Sequence, residues 1–208
     1  MAASACAGTP TGSSSPPPAS AASPQASSGS SVVCDSFGPC FGAAGHYDLD
    51  EFQPAISFDL GEGWTVNGPP SKSLLAWVRG PDEFLEIARN INRGLDDTEA
   101  LVTIEQTPAA FVDWLRSRTA LDVGATSPTT LGGLDAIQVD VSVREPVSLY
   151  TYASDPATYR AAAGQTIRFI LAERDGELLS LAAESPAAAF DQFWTDSVQP
   201  VVASLTFP

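Results

Sequence analysis

The chain has 208 residues, 44% of them hydrophobic, and a formal net charge of −15. That is material for one ordinary domain with a core of its own, and because Asp35 is the only charged residue before Tyr47 with His46 neutral, about −14 of the charge falls on the part that follows. A field of that sign repels phosphate backbones and anionic lipid, which argues against nucleic-acid binding and against electrostatic docking on membranes.

Residues 1–31 are Ala, Ser, Pro, Gly and Thr with little else. Such a segment buries too little apolar area to offset its ordering entropy, so the sequence predicts a disordered tether, stiffened locally by Pro16-Pro17-Pro18. Near its start, Ala3-Ser4-Ala5-Cys6-Ala7 looks like the end of a bacterial lipoprotein signal, with small residues before the cysteine that receives the lipid. Ala stands where Leu is usual, and the basic and hydrophobic parts of a signal are not seen in the five residues before Cys6. Cysteine parity supports the reading. The chain has three cysteines, and Cys34 and Cys40 enclose Asp35-Ser36-Phe37-Gly38-Pro39, a loop that Gly-Pro can reverse. A Cys34–Cys40 disulfide in an oxidising compartment leaves Cys6 for the lipid anchor; three inert thiols are the alternative.

Residues 32–51 form a cysteine-containing lead-in, and the domain proper is expected over 52–208. Ala55–Leu60 alternates, with Ile56, Phe58 and Leu60 on one side. Gly61-Glu62-Gly63 turns the chain, and Trp64-Thr65-Val66 returns, which predicts a hairpin. Further strands are expected at Leu74–Arg79, Phe84–Ala88 and Leu101–Glu105. A helix then opens with Thr107 as its cap and Pro108 as its first residue, and Phe111, Trp114, Leu115 and Arg118 form its stripe. A loop follows from Leu121, then a Gly132-Gly133 turn. Leu134–Arg144 has the cleanest alternation, with Ile137, Val139, Val141 and Val143 facing one way. A short strand is expected near Leu149–Tyr152 and a helical turn after Pro156. Thr166–Ala172 and Leu178–Ala183 read as strands about a tight Asp175-Gly176 turn. Ser185-Pro186 reads as the start of a last helix bearing Phe190, Phe193, Trp194, Ser197, Val198 and Val201, kinked or ended by Pro200. Antiparallel strands with two amphipathic helices argue an α+β fold: a sheet flanked by helices, an α/β/α sandwich.

Two stretches resemble the PsbP-like domains, named for an extrinsic photosystem II subunit and shared with small bacterial lipoproteins. Pro54-Ala55-Ile56-Ser57-Phe58-Asp59-Leu60-Gly61-Glu62-Gly63-Trp64 is similar to their first hairpin. Gly176-Glu177-Leu178 through Phe193-Trp194 to Ser204-Leu205-Thr206-Phe207 is similar to their last strand, helix and ending. Thr107-Pro108 through Trp114-Leu115, with Leu131-Gly132-Gly133-Leu134, resembles a passage of actinobacterial-type lipoproteins. The resemblance spans roughly residues 52–208 and rests on structural positions. It implies an antiparallel sheet between helices, used in relatives to bind partner proteins or small apolar ligands. It implies no photosynthetic role and carries over no functional residue.

The chemistry-bearing residues are sparse. His46 is the only histidine and precedes the first strand of the domain, a poor place to hold a catalytic base. Cys34, Cys40, His46 and Asp48 do not follow a zinc-finger spacing, and Asp48, Asp50 and Glu51 lack the EF-hand pattern, so His46, Asp48 and Asp50 are weak metal candidates. Gly61-Glu62-Gly63 leads into a strand rather than a helix N-terminus and so holds no phosphate. Trp77 lies in a run apolar on both faces, either core or the wall of a groove; it is the weak ligand-binding candidate. No cofactor is implied. The leading reading is a lipid-anchored extracytoplasmic domain, without catalysis, for an envelope protein partner or a small apolar ligand. The alternatives are a carboxylate-based hydrolase, marked by a cleft with two carboxylates of shifted pKa, and a cation-binding structural module.

Overall fold

The structure, a computed structural model, describes residues 32–34, 42–152 and 155–208. The tether, Cys6 and Cys40 lie outside the described residues, and with them the expected anchor and disulfide. The first strands are β1 (Val32–Cys34), β2 (Gly45–Leu49), β3 (Ile56–Leu60), β4 (Thr65–Val66), β5 (Leu74–Arg79), β6 (Glu83–Arg89), β7 (Arg93–Leu95) and β8 (Leu101–Thr103). Helix α1 (Pro108–Arg116) separates them from β9 (Leu121–Val123), β10 (Ser127–Leu131), β11 (Leu134–Val143), β12 (Val147–Tyr152), β13 (Asp155–Ala161), β14 (Gln165–Arg174) and β15 (Glu177–Pro186). The chain closes with α2 (Phe190–Phe193), a π-helical turn over Trp194–Val198, and α3 (Gln199–Ser204).

An antiparallel sheet runs β10-β11-β14-β15-β6-β5-β4, with β9 pairing farther along β11. Its strands are apolar on both faces, and the alternation separates two cores. Leu75, Trp77, Leu85, Ile87, Leu179 and Leu181 face Phe193, Val198, Val201 and Leu205 of the C-terminal helical segment. Strands β2 and β3 cover the same face through Tyr47, Leu49, Ile56 and Phe58. Leu74, Ala76, Val139, Val141 and Phe169 face the opposite way, toward Phe111 and Leu115 of α1 and Leu149 and Tyr150 of β12. The second sheet on that side runs β13-β12-β7-β8. The α+β arrangement with helices on both faces is therefore as expected, each helix sharing its face with a small sheet.

Several elements form where local chemistry places them. Thr107 caps α1 by accepting a hydrogen bond from the Ala110 N–H at 3.2 Å, and Pro108 stands where its missing N–H leaves no bond unmade. Asp175 (φ 57°) and Gly176 (φ 78°) supply the left-handed pair that a tight turn between β14 and β15 requires. Gly94 in β7 is fixed by packing: a Cβ there would lie 2.5 Å from the Trp114 indole of α1. The C-terminal ending is tied down too, since Ser57 N–H donates to Thr206 O at 3.0 Å and Thr206 N–H returns to Ser57 O at 2.8 Å.

Several expectations are corrected. The 55–66 segment is no hairpin: β3 pairs with β2 and with Thr206, while β4 pairs with β5 in the large sheet. Trp64 packs edge-on against Phe193 at 5.9 Å, so the chain crosses from one sheet to the other at Gly61–Gly63. The loop expected from Leu121 holds β9 and β10, both paired with β11. The helical turn expected after Pro156 is strand β13, with Val147 opposite Ala161 and Tyr159 and Ala161 buried. Ser185-Pro186 does not open a helix; β15 runs through both, opposite Thr166 and Gln165, and Pro186 ends the strand where its lacking donor costs little. The helix begins at Phe190, Arg118 lies beyond the end of α1, and Pro200 follows the wider π turn, which accommodates its ring.

Candidate functional site

A cavity of about 510 Å³ opens where β5 and β6 meet the β12–β13 sheet. Its apolar lining is Leu74, Ala76 and Val78 from alternate positions of β5, with Phe84 from β6. Tyr152 and Tyr159 stand opposite, and the Tyr159 ring meets Phe84 edge-on at 5.4 Å. Glu184 and Gln165, which share a face of the neighbouring strands β15 and β14, complete the lining from below. The mouth carries Asp82, Glu83 and Arg160.

Behind this lining lies a set of buried acids and phenols. Glu86 has no exposed surface and sits on the same sheet face as Ala182 and Glu184. Its carboxylate accepts the Tyr150 hydroxyl at 2.8 Å on one oxygen and the Tyr152 hydroxyl on the other. Glu184 accepts the Tyr159 hydroxyl at 2.6 Å. Burial pushes the Glu86 carboxyl up to about 7, against the two tyrosine hydrogen bonds and with some help from the charge of Glu184. Burial also raises Glu184, opposed by donation from Tyr159 and from the Ala162 N–H. Desolvation and the neighbouring carboxylates hold the Tyr150 and Tyr159 hydroxyls well above the ordinary phenol range, so both stay protonated and donate.

Two carboxylates of raised pKa beside a cavity were the mark set for a hydrolase. Both oxygens of Glu86 are engaged by tyrosines and the side chain reaches no open surface. Glu184 alone reaches the cavity, and it holds the Tyr159 hydroxyl. As arranged, the acids fix the tyrosine wall through charge-assisted hydrogen bonds.

Trp77 is fully buried, with Phe58 edge-on at 5.5 Å and Tyr47 at 6.5 Å, on the sheet face away from the cavity. It is a core residue. His46 lies on β2 with Nδ1 2.7 Å from Asp59 Oδ1 and Nε2 3.1 Å from Ser57 Oγ. That order matches a Ser-His-Asp relay. It lines no part of the cavity described above, and the Ser57 N–H is already given to Thr206 O rather than held for an oxyanion. Asp48 is exposed on β2 and Asp50 in the turn after it. Among the described residues, no group of three or more His, Cys, Asp or Glu is placed to hold a metal ion. Cys34 ends β1, and its expected partner Cys40 lies outside the described residues.

Glu86, Glu184 and Gln165 are not among the sequence candidates above. In Phe84-Leu85-Glu86-Ile87-Ala88 the glutamate falls where a half-buried strand shows its polar face. The clue was Leu178–Glu184, apolar at both phases, which marks a strand covered on both sides and hence a buried acid.

No protein-family model matches the chain, and no curated protein matches it in sequence. Solved structures do resemble it. Cyanobacterial PsbP from Synechocystis sp. PCC 6803 is similar at 10% identity and TM-score 0.48, over 82% of this chain and 96% of that one. LpqN, involved in cell envelope biogenesis of Mycobacterium tuberculosis, is similar at 15% identity and TM-score 0.44, over 74% and 83%. The Saccharomyces cerevisiae Ran-binding protein Mog1p is similar at 10% identity and TM-score 0.43, over 79% and 96%. A PsbP thus stands among the solved structures of similar fold, although Pro54–Trp64 is not the hairpin to which it was compared. None of these similarities assigns a ligand to this chain.

Proposed function

We propose that the chain is a non-enzymatic binding domain that carries a small, largely apolar ligand in the cavity under Tyr152 and Tyr159, tethered outside the cytoplasm by a lipidated Cys6. The observation that carries the reading is the cavity itself: about 510 Å³, apolar along β5, with a few polar groups converging from β14 and β15. That is the usual make-up of a small-molecule site. A protein partner docking on an apolar face is less favoured, since Leu101, 56% exposed, is the only exposed large hydrophobic among the described residues. Catalysis by the raised acids is disfavoured because tyrosine hydroxyls occupy them.

Native mass spectrometry of the full chain, purified gently from its own host, tests the binding role. A small-molecule mass retained by the natural chain and lost in Val78→Trp, which fills the cavity from β5, is the expected result. A bare chain mass in both would refute it. The anchor rests on Ala3-Ser4-Ala5-Cys6 and on a tether of suitable length. Cys6→Ser should move the protein to the soluble fraction of that host; unchanged membrane association would sink the anchor.

A further inference from the structure

We infer that the ligand of this cavity carries a protonated amine on an apolar body, a reading that rests on the binding role proposed above. Three features of the lining converge on it. Glu184 brings a carboxylate to the floor, and beside it the Gln165 Oε1 is buried with no hydrogen-bond partner among the described residues. Both oxygens accept, and a buried acceptor that no donor reaches is costly until one arrives. A carboxylate has about four acceptor positions, so Glu184 keeps capacity after taking the Tyr159 hydroxyl.

The walls suit a cation as well. Phe84, Tyr152 and Tyr159 line the space with aromatic rings, a residue type that attracts ammonium groups to its face. The mouth adds Asp82 and Glu83 against a single base, Arg160, so the lining is acidic like the domain as a whole. Leu74, Ala76 and Val78 give the rest of the ligand an apolar bed. A carboxylate ligand would instead set a second anion against Glu184, and the one cationic side chain of the lining, Arg160, is exposed. A neutral ligand without a donor would leave Gln165 Oε1 unmet.

Isothermal titration of the full chain with three probes of equal length, octylammonium, octanol and octanoate, at one ionic strength and pH 7 tests the inference. Octylammonium is expected to bind about tenfold tighter than octanol, the usual size of a charge-assisted hydrogen bond, and octanoate weakest. Glu184→Gln, which keeps an acceptor for Tyr159, should remove most of that preference while octanol binding persists. Gln165→Leu, which leaves Glu184 in place, should lower it in part. Octanoate or octanol binding as tightly as octylammonium would overturn the amine and leave the binding role standing. No saturable binding of any probe would overturn the binding role and the amine with it.

Discussion

Glu86 is an acid held by two phenols with no exposed surface, and the balance at that one side chain has a thermodynamic consequence. Its carboxyl is raised to about 7 in the folded chain, above the ordinary value of 4.5 that an exposed glutamate keeps on unfolding. The native state therefore binds the extra proton between those values, and stability falls as pH climbs through that window. About a unit above pH 7 the loss is complete, on the order of 3 kcal/mol. Glu184, raised in the same direction, adds to it. Urea unfolding at pH 5 and pH 8 should show the domain more stable in acid, and Glu86→Gln should flatten most of the difference. Equal stability at the two pH values, or an unchanged slope in Glu86→Gln, would contradict the placement of this acid. Arg168 shows the opposite economy. Its guanidinium is doubly bonded to Asp140 at 2.7 Å and lies over Trp194 at 4.4 Å, so its charge is met on the edge and on the face.

Elements with a strong local cause were legible in the sequence, and those defined by distant partners were not. Thr107-Pro108 and Asp175-Gly176 act within a few residues of themselves, so their cap and turn were readable directly. The alternation of Val139, Val141 and Val143 likewise marked β11. Strand β3 was visible as a strand, yet its partners β2 and Thr206 are set by the Tyr47–Phe58 stack at 5.0 Å and by the chain's far end. Nothing in Gly61-Glu62-Gly63 announces that. Ser185-Pro186 imitates a helix start because the same residues suit a strand's last position. The close packing of Gly94 under Trp114 depends on residues twenty apart, so β7 had no local signal. The site was hidden for the same reason. Glu86, Glu184 and Gln165 come from three strands, and only the covering of both sheet faces buries the two acids and the Gln165 Oε1.

Across the whole molecule, the large sheet separates two cores that differ in how they are closed. The face under α2, the π turn and α3 is filled by Trp77, Phe58, Leu85 and their neighbours. The other face is closed by α1 over β11 and β14, and toward β5 and β6 the β12–β13 sheet leaves the cavity open at its mouth. The acids and tyrosines are collected at that end, so a buried polar network and a ligand-sized space coincide there. This coincidence is the centre of the account. The most direct measurement is a methyl chemical-shift map of the isotope-labelled full chain during titration with octylammonium. The account predicts saturable shifts confined to Leu74, Ala76, Val78 and Ala162 around the cavity, with Leu75 and Val201 on the other sheet face unmoved. Shifts centred on the opposite face, or spread without saturation over both, would contradict it.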